Sequence, residues 1–336
     1  MAMFNQNQKR IGFACKIQTK ESTDLASCQI KGTTITWLKN QTKSKAADRL
    51  WDLTVNNIKA LENQIDWVSQ QPPEQRCFRL SSDILTAYSH DDWMWFYFEP
   101  AVVQFLESNL ERIGDKIRAN DIRASFHPGQ FCVLASHDDE VVERSIIEFE
   151  YHADLIRYMG FGREFQDFKC NVHIGGKQGP DGIKRVMRKL SPEARNTLTI
   201  ENAEFTWGLD HSLELVDTCA LVLDIHHHWI HSGEYIEPSD PKFQQITDSW
   251  RGVRPIIHYS VSREDVLIDH CGRTRPDLRE LKAQGFTSAK LRAHSEYYWN
   301  EACNEWALTF LPYSDIMCES KQKNTASNLL AAQIGS

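Results

Sequence analysis

Apolar and polar residues along this chain follow two alternating periods, which predict strands separated by helices. Short apolar runs bounded by turn residues predict eight strands, at 10–15, 77–82, 122–127, 168–173, 196–201, 220–224, 255–259 and 315–319. Segments with apolar residues at helical spacing predict helices at 43–70, 99–120, 138–159, 182–190, 211–218, 241–250 and 320–333. The remaining long segment, 261–293, has neither period and is interpreted as an excursion at one rim.

Eight strand–helix units in 336 residues predict an α/β fold, a (β/α)₈ TIM barrel. A doubly wound sheet is the alternative, but it does not usually need eight regular units. No glycine-rich dinucleotide fingerprint follows the first strand, where only Gly12 is present, so no nucleotide cofactor is expected. We expect residues 1–9 to be a disordered tail and residues 10–336 to form a single domain.

Composition indicates the class of protein and the cellular compartment to expect. Apolar residues make up 41% of the chain and charged residues 25%, which is ordinary for a globular protein with a sizeable core. No apolar run is long enough to span a bilayer, and no secretory signal is visible, so no membrane partner is expected. The nine cysteines are scattered without a C-x-x-C pair, which favours a reducing cytoplasm. The net charge of −8 neither indicates nor excludes a nucleic-acid partner.

Six consecutive predicted strands end in an imidazole or a carboxylate. These residues are His127, His173, Glu201, Asp224, His258 and Glu319. Each one alone is more often a structural residue than a ligand. In a barrel, however, the carboxyl ends of the strands meet at the face that carries active sites, so the set together predicts a metal cluster.

The donor types constrain the metal without selecting one. Imidazole and carboxylate ligands without thiolate suit manganese, Fe²⁺ or Zn²⁺. The number of ligands predicts two or three ions per chain, with Glu201 as the carboxylate that bridges them. His227 follows Asp224 by three residues and is a further candidate ligand. His226 and His228 are expected to be structural or to support the ligands.

Ordered motifs along nearly the whole chain resemble the UV damage endonuclease family. They are Arg79–Asp83 with Ser89-His90, Phe126-His-Pro-Gly-Gln130, Val172-His-Ile-Gly-Gly176, Ile200-Glu-Asn202, Asp224-Ile-His-His-His228, Ile257-His-Tyr-Ser260 and Asp315-Ile-Met-Cys-Glu-Ser-Lys321. The resemblance implies a barrel related to endonuclease IV that nicks double-stranded DNA on the 5′ side of UV photoproducts and some other lesions. It also implies a manganese cluster, adds His294 to the ligands, and places Glu201, His227 and His258 in catalysis.

The resemblance further implies DNA contacts on the loops beside these strands. Gln130 and Phe131 stand where a side chain would wedge into a kinked duplex, and Phe13 is a candidate for stacking on an extruded lesion. Core packing is the alternative for both phenylalanines. Candidate phosphate contacts on the rim are Lys177, Lys16, Lys20 and Arg263. For exposed lysines, a solvated face is the alternative.

Three departures separate this sequence from the family pattern. Ile256 stands where the family typically has a lysine near the metals, which predicts fewer ions or altered activity. Phe13 and Phe131 replace tyrosines, and the segment between His258 and His294 is longer than usual. Two other functions stay open: a damaged-DNA-binding protein with impaired catalysis, and a sugar isomerase or epimerase on the same barrel.

Overall fold

Eight parallel strands surround a central axis in a computed structural model that describes residues 4–334. The strands are β1 (Ile11–Ala14), β2 (Cys77–Arg79), β3 (Arg123–Phe126), β4 (Lys169–His173), β5 (Leu198–Glu201), β6 (Ala220–Val222), β7 (Ile256–Tyr259) and β8 (Asp315–Cys318). Their order in the sheet is β6-β5-β4-β3-β2-β1-β8-β7. A parallel bridge between Asp224 and His258 joins the two end strands. The predicted (β/α)₈ barrel is therefore confirmed.

Helices surround the strands, and the three longest begin and end close to the predicted positions. The helices are α1 (Ile35–Lys39), α2 (Lys43–Ser69), α3 (Pro100–Ala119), α4 (Asp139–Tyr158), α5 (Gly179–Val186), α6 (Pro192–Thr197), α7 (Leu209–Leu213), α8 (Ile225–Ser232), α9 (Pro241–Ser249), α10 (Leu278–Ala283), α11 (Ser288–Leu291), α12 (Glu301–Leu308) and α13 (Lys323–Ala331). Thr42 caps α2 and Asp138 caps α4 through their side-chain oxygens. No described helix has the length and apolar character that a membrane crossing requires.

Residues 196–197 and segment 261–293 differ from their predicted structure. Asn196 and Thr197 end helix α6, so the fifth strand begins only at Leu198. Segment 261–293 is not irregular throughout, because it contains α10 and α11. Its apolar side chains join α8 in a small separate core, formed by Trp229, Ile230, Leu267, Leu278, Leu281 and Leu291. This packing gives the long excursion a fixed position on the barrel.

The predicted disordered tail is wrong for residues 4–9, while residues 1–3 lie outside the described part. Phe4 is buried, and its ring centroid lies 4.4 Å from the Arg123 guanidinium carbon. Asn5 donates its backbone N–H to Asp121, and Gln6 accepts a hydrogen bond from the backbone N–H of Arg254. The segment therefore packs on the amino-terminal end of the barrel. Its partners are distant in sequence, so local composition could not reveal them.

A buried ionic network closes that same end of the barrel. Asp315 is fully buried and accepts hydrogen bonds from the Arg10 backbone (2.9 Å), Arg123 Nη1 (2.7 Å) and Arg254 Nε (2.8 Å). Arg10 and Arg123 are themselves buried. Buried charges of this kind are tolerated only when they are paired and hydrogen-bonded. Asp315 therefore supplies the negative charge that this end of the barrel requires.

We expect Asp315→Asn to lower the free energy of unfolding by about 3–5 kcal/mol, because it leaves buried guanidinium groups without their carboxylate. Urea denaturation followed by circular dichroism measures this loss. The control is Asp265→Asn, which breaks the exposed pair with Arg263 and should leave stability unchanged. Equal stability of the Asp315→Asn variant and the wild type would contradict the role given to this network.

Candidate metal centre

The Glu201 side chain lies at the centre of the predicted ligands. Glu201 ends β5 and is completely buried. The nearest ring nitrogens to its carboxylate oxygens are His258 Nδ1 at 3.1 Å, His127 Nε2 at 3.3 Å, His227 Nδ1 at 3.4 Å and His173 Nδ1 at 3.8 Å. Four separate segments thus bring imidazoles to a single carboxylate.

Two groups of possible ligands share Glu201. One consists of His127, His173 and Glu201, and the other of Glu201, Asp224, His258 and Glu319. Within each group, the donor atoms lie within 4.8 Å of one another. The structure therefore brings together all six residues that end the consecutive strands, and it arranges them as two adjacent donor sets.

His227 and His294 lie beside these groups without belonging to either. His227 Nδ1 lies 3.1 Å from the Asn202 carbonyl oxygen, which leaves Nε2 as its free ring nitrogen. Burial lowers the pKa of His227, but the Asp224 and Glu201 carboxylates outweigh it and raise that pKa to about 9. His294 pairs with Ser262 in an antiparallel bridge, and burial lowers its pKa against the opposing effect of Glu319. Their assignment as ligands stays a prediction.

The two carboxylate oxygens of Asp224 differ in their contacts. Oδ1 accepts the backbone N–H of His227 at 2.7 Å and thereby caps α8. The Asn202 side chain holds the Asp224 backbone, accepting its N–H (2.9 Å) and donating to its carbonyl oxygen (3.0 Å). Oδ2 is buried, and no described residue donates a hydrogen bond to it. The His-rich stretch is therefore a helix whose cap leaves one carboxylate oxygen available to the site.

Three buried atoms of the second group have no hydrogen-bond partner among the described residues. They are Glu201 Oε1, Asp224 Oδ2 and His258 Nδ1. Burial raises the pKa of the Asp224 carboxyl well above its usual range, and the Glu201 and Glu319 carboxylates add to that rise while His227 opposes it. Buried polar atoms are normally satisfied, and a divalent cation would satisfy all three. The residues present therefore fit a metal cluster.

The other two carboxylates are held in their ionised form by neighbouring groups. Burial opposes ionisation of Glu201, yet His258 and His173 hold its pKa well below the usual range. Glu319 behaves likewise, because the Arg79 guanidinium donates a hydrogen bond to its Oε1 and lowers its pKa. Asn171 donates to Glu201 Oε2 and accepts from Thr199 at 2.8 Å. These contacts fix the orientation of both carboxylates.

A buried lysine reaches the cluster from inside the barrel. Lys169 begins β4, and its Nζ lies 2.7 Å from His258 Nε2. Burial lowers the pKa of the Lys169 amine to about 7, although Glu201 opposes this shift. A neutral amine can accept the Nε2–H of His258, which leaves the Nδ1 lone pair directed at the carboxylates. Lys169 therefore supports the orientation in which His258 can bind a metal.

Ile256 lies inside the barrel without contributing a ligand. It is fully buried in an apolar layer with Ala14, Cys77, Ala220, Val222, Trp250 and Met317. The lysine expected at its position from the family pattern is absent, but an amine still reaches His258 from a different strand. The effect of Ile256 on metal count stays a prediction.

Sequence reasoning missed Lys169, Asn171 and the supporting role of Asn202. The signal was present for the first two, because alternate residues of a strand share a face and both have the same parity as His173. Lys169 lies at the amino end of β4, whereas the predicted ligands all lie at the carboxyl ends of the strands or beyond them. The role of Asn202 depends on a contact between two loops, which no local pattern predicts.

A cavity of about 1000 Å³ opens beside this cluster. It lies between the segments that follow β1, β2 and β3, and His127 forms part of its wall. Charged residues of both signs line it, namely Lys16, Asp24, Asp83, Arg144 and Glu148. The cavity is therefore continuous with the first group of possible ligands.

The predicted DNA contacts divide into buried and exposed residues. Phe13 is only 1% exposed and packs against Phe78 and Trp67, so the structure contradicts a stacking role for it and places its ring in the core. Phe131 is 85% exposed, lies at the cavity wall, and follows the exposed Gln130. Lys177 is also exposed. Of the weaker candidates, Lys16 is ion-paired with Asp24 and Arg263 with Asp265, whereas Lys20 is exposed.

The fold and this site define a (β/α)₈ barrel protein with a candidate centre for more than one metal ion. The model of the family described as UV-endonuclease UvdE matches residues 9–334. This chain belongs to that family.

Individual relatives agree with this assignment. Over 262 residues, the chain is 27% identical to the UV-damage endonuclease of Schizosaccharomyces pombe. The matched region is 74% of this chain but only 39% of that longer protein. Over 329 residues this chain is 25% identical to the UV DNA damage endonuclease of Bacillus mycoides, covering 94% and 92% respectively. The crystal structure of SacUVDE is similar with a TM-score of 0.72 and 26% identity, over 97% of this chain and 98% of that one.

We expect Lys169→Met to weaken Mn²⁺ binding about 10–100-fold, because the variant keeps the apolar stem and loses the group that orients His258. Isothermal titration calorimetry on metal-stripped protein measures the affinity. Lys189→Met, at an exposed lysine away from the cluster, is the matched control and should bind as the wild type does. Unchanged affinity in the Lys169→Met variant would show that the contact with His258 is dispensable.

Proposed function

We propose that this protein is a metal-dependent DNA repair endonuclease that nicks double-stranded DNA on the 5′ side of UV photoproducts and of some other lesions. The observation that carries the proposal is Glu201, a buried carboxylate shared by two donor groups. Membership of the UV-endonuclease UvdE family over residues 9–334 supplies the substrate class. The same membership argues against a sugar isomerase or epimerase.

The proposed cofactor is manganese, with two or three ions per chain, and Zn²⁺ or Fe²⁺ suits the same donors. His127, His173, Glu201, Asp224, His258 and Glu319 would hold the ions, with His227 and His294 as further candidates. Bound ions of this kind stabilise the charge that develops on the phosphoryl oxygens and make water a stronger nucleophile near neutral pH.

The protein's own contribution is to orient these ligands before substrate arrives. Lys169 holds Nε2 of His258, and the Pro128 carbonyl oxygen lies 3.0 Å from His127 Nδ1, so Nε2 of His127 faces Glu201. Asn202 fixes the backbone that carries Asp224. Preorganised ligands of this kind need little rearrangement during the reaction, which favours catalysis.

The cavity beside His127 is the proposed position of the lesion. Its volume of about 1000 Å³ exceeds that of a single base, and one wall is continuous with the metal ligands. Bases must leave the duplex stack to enter such a pocket, and a wedge side chain stabilises the kinked duplex that remains. Phe131 and Gln130 are the proposed wedge, and Lys177 is a proposed phosphate contact.

The proposed partner is lesion-bearing double-stranded DNA, and the proposed location is the cytoplasm. All nine cysteines are free thiols, which fits a reducing compartment. A lesion-binding protein without cleavage is the second candidate, and Ile256 favours it because the family lysine is missing at that position. Nicking and binding assays separate the two.

We expect the wild-type protein with Mn²⁺ to nick UV-irradiated supercoiled plasmid and to leave unirradiated plasmid intact. Glu201→Gln should reduce nicking by more than about 100-fold, because it weakens both donor groups at once. Agarose gel electrophoresis of the relaxed form measures this. If folded, metal-loaded wild-type protein binds irradiated DNA without nicking it, the endonuclease proposal is wrong and the binding protein is correct.

Phe131→Ala should reduce the preference for damaged over undamaged duplex by about 1–3 kcal/mol, because a stacking ring is lost. The ring is exposed, so thermal stability should not change. Fluorescence anisotropy with matched duplexes measures the preference. Tyr313→Ala, at an exposed aromatic beside the start of β8, is the control. Equal discrimination by the Phe131→Ala variant and the wild type would contradict the wedge.

A further inference from the structure

Lys323 has an unusual backbone at the rim of the barrel. It is the first residue of α13, four residues after Glu319, and its φ is +41°. Residues other than glycine rarely adopt this left-handed backbone conformation, and they keep it only where surrounding contacts enforce it. Asparagine and glycine adopt this conformation more readily than lysine does.

Contacts on both sides fix this segment. The backbone N–H groups of Lys321 and Gln322 donate to the carbonyl oxygens of Ser295 and Glu296, at 3.0 and 3.1 Å. On the other side, the Asn324 side chain donates to the Gln18 carbonyl oxygen (3.0 Å) and accepts the Gln18 N–H (2.7 Å). Lys323 is therefore held beside the segment after β1, at the same rim as the metal ligands.

Four cationic side chains meet in this region, and three of them have a carboxylate partner. Lys16 pairs with Asp24 at 2.7 Å, Lys321 with Glu296 at 3.1 Å, and Arg79 with Glu319. Lys323 is the exception, since no carboxylate of the described residues lies within ion-pair distance of its ammonium. Its Nζ donates one hydrogen bond, to the Ser320 carbonyl oxygen at 3.3 Å. An ammonium group has three donors, so the others remain for another acceptor.

The surroundings of Lys323 disfavour a positive charge in the free protein. Burial lowers the pKa of the Lys323 ammonium, and Arg79 and Lys16 act in the same direction, while Cys15 and Glu319 oppose them. A half-buried cation without a counterion is compensated when an anion binds next to it. The segment after β1, which carries Cys15 and Lys16, also lines the cavity, so an anion bound here would lie next to a lesion bound there.

We propose that Lys323 binds a backbone phosphate of the DNA strand that runs past the metal centre, on the side of β1 and β8. This inference rests on the proposed function. The phosphate supplies the missing counterion, and the fixed backbone holds the ammonium at its position. Because phosphates carry no sequence information, the contact positions DNA and contributes equally to damaged and undamaged duplex.

The salt dependence of DNA binding tests this contact. A phosphate contact contributes about −0.9 to the slope of log K against log salt concentration on B-form DNA. Lys323→Gln should therefore make the slope shallower by about 0.9 on both duplexes, and Lys323→Arg should restore it. Lys321→Gln is the matched control, because Lys321 already has a carboxylate partner, and its slope should equal that of the wild type. Fluorescence anisotropy over a series of KCl concentrations, with circular dichroism to verify folding, gives these values.

The steady-state kinetics of nicking supply a second measurement. Loss of a contact that is equally strong in the bound substrate and in the transition state raises KM and leaves kcat unchanged. We expect this pattern for Lys323→Gln. An unchanged slope in folded Lys323→Gln, or an equal change in Lys321→Gln, would overturn the inference while leaving nicking by the wild type intact. Absence of nicking by the wild type would overturn the endonuclease proposal, and the slope would still decide whether Lys323 binds phosphate.

Discussion

The buried carboxylate of Glu201 is the group on which the site depends. An ionised carboxylate without solvent is very unfavourable unless positive groups surround it, and here imidazoles from four segments approach it within 3.8 Å. Glu319 adds further negative charge to the same volume, while burial raises the pKa of the neighbouring Asp224 carboxyl. The cluster is thus an electrostatic arrangement that divalent cations would complete, and hydrogen-bonding neighbours orient its candidate ligands for that purpose.

The barrel separates this charged centre from a second one. At the carboxyl ends of the strands lie the candidate metal ligands, and at the opposite end Asp315 compensates Arg10, Arg123 and Arg254. Between them is a small apolar layer that includes Ile256. Lys169 is the exception to this layering, because its long side chain passes through the interior and reaches His258. Ile256 packs in this apolar layer, and the amine that contacts His258 comes instead from Lys169 on β4.

The sequence predicted the barrel and the convergence of the strand-end residues, because parallel strands bring their carboxyl ends to one face whatever the details of packing. It failed where the outcome depends on contacts between distant segments. Phe13 alternates away from the barrel axis and packs on α2, and Phe4 packs on Arg123 at the amino-terminal end of the barrel. Lys169 and Asn171 could have been found from strand parity with His173, whereas the contact between Asn202 and Asp224 could not.

Metal stoichiometry shows whether Glu201 is shared by two metal-binding groups. Inductively coupled plasma mass spectrometry on Mn²⁺-loaded, desalted protein would count the ions in the wild type, in Glu201→Gln, and in Glu214→Gln, an exposed acidic residue outside the cluster, as the control. We expect two or three ions in the wild type, a loss from both groups in Glu201→Gln, and no loss in the control. A single ion in the wild type, or an unchanged count in Glu201→Gln, would contradict the sharing of Glu201.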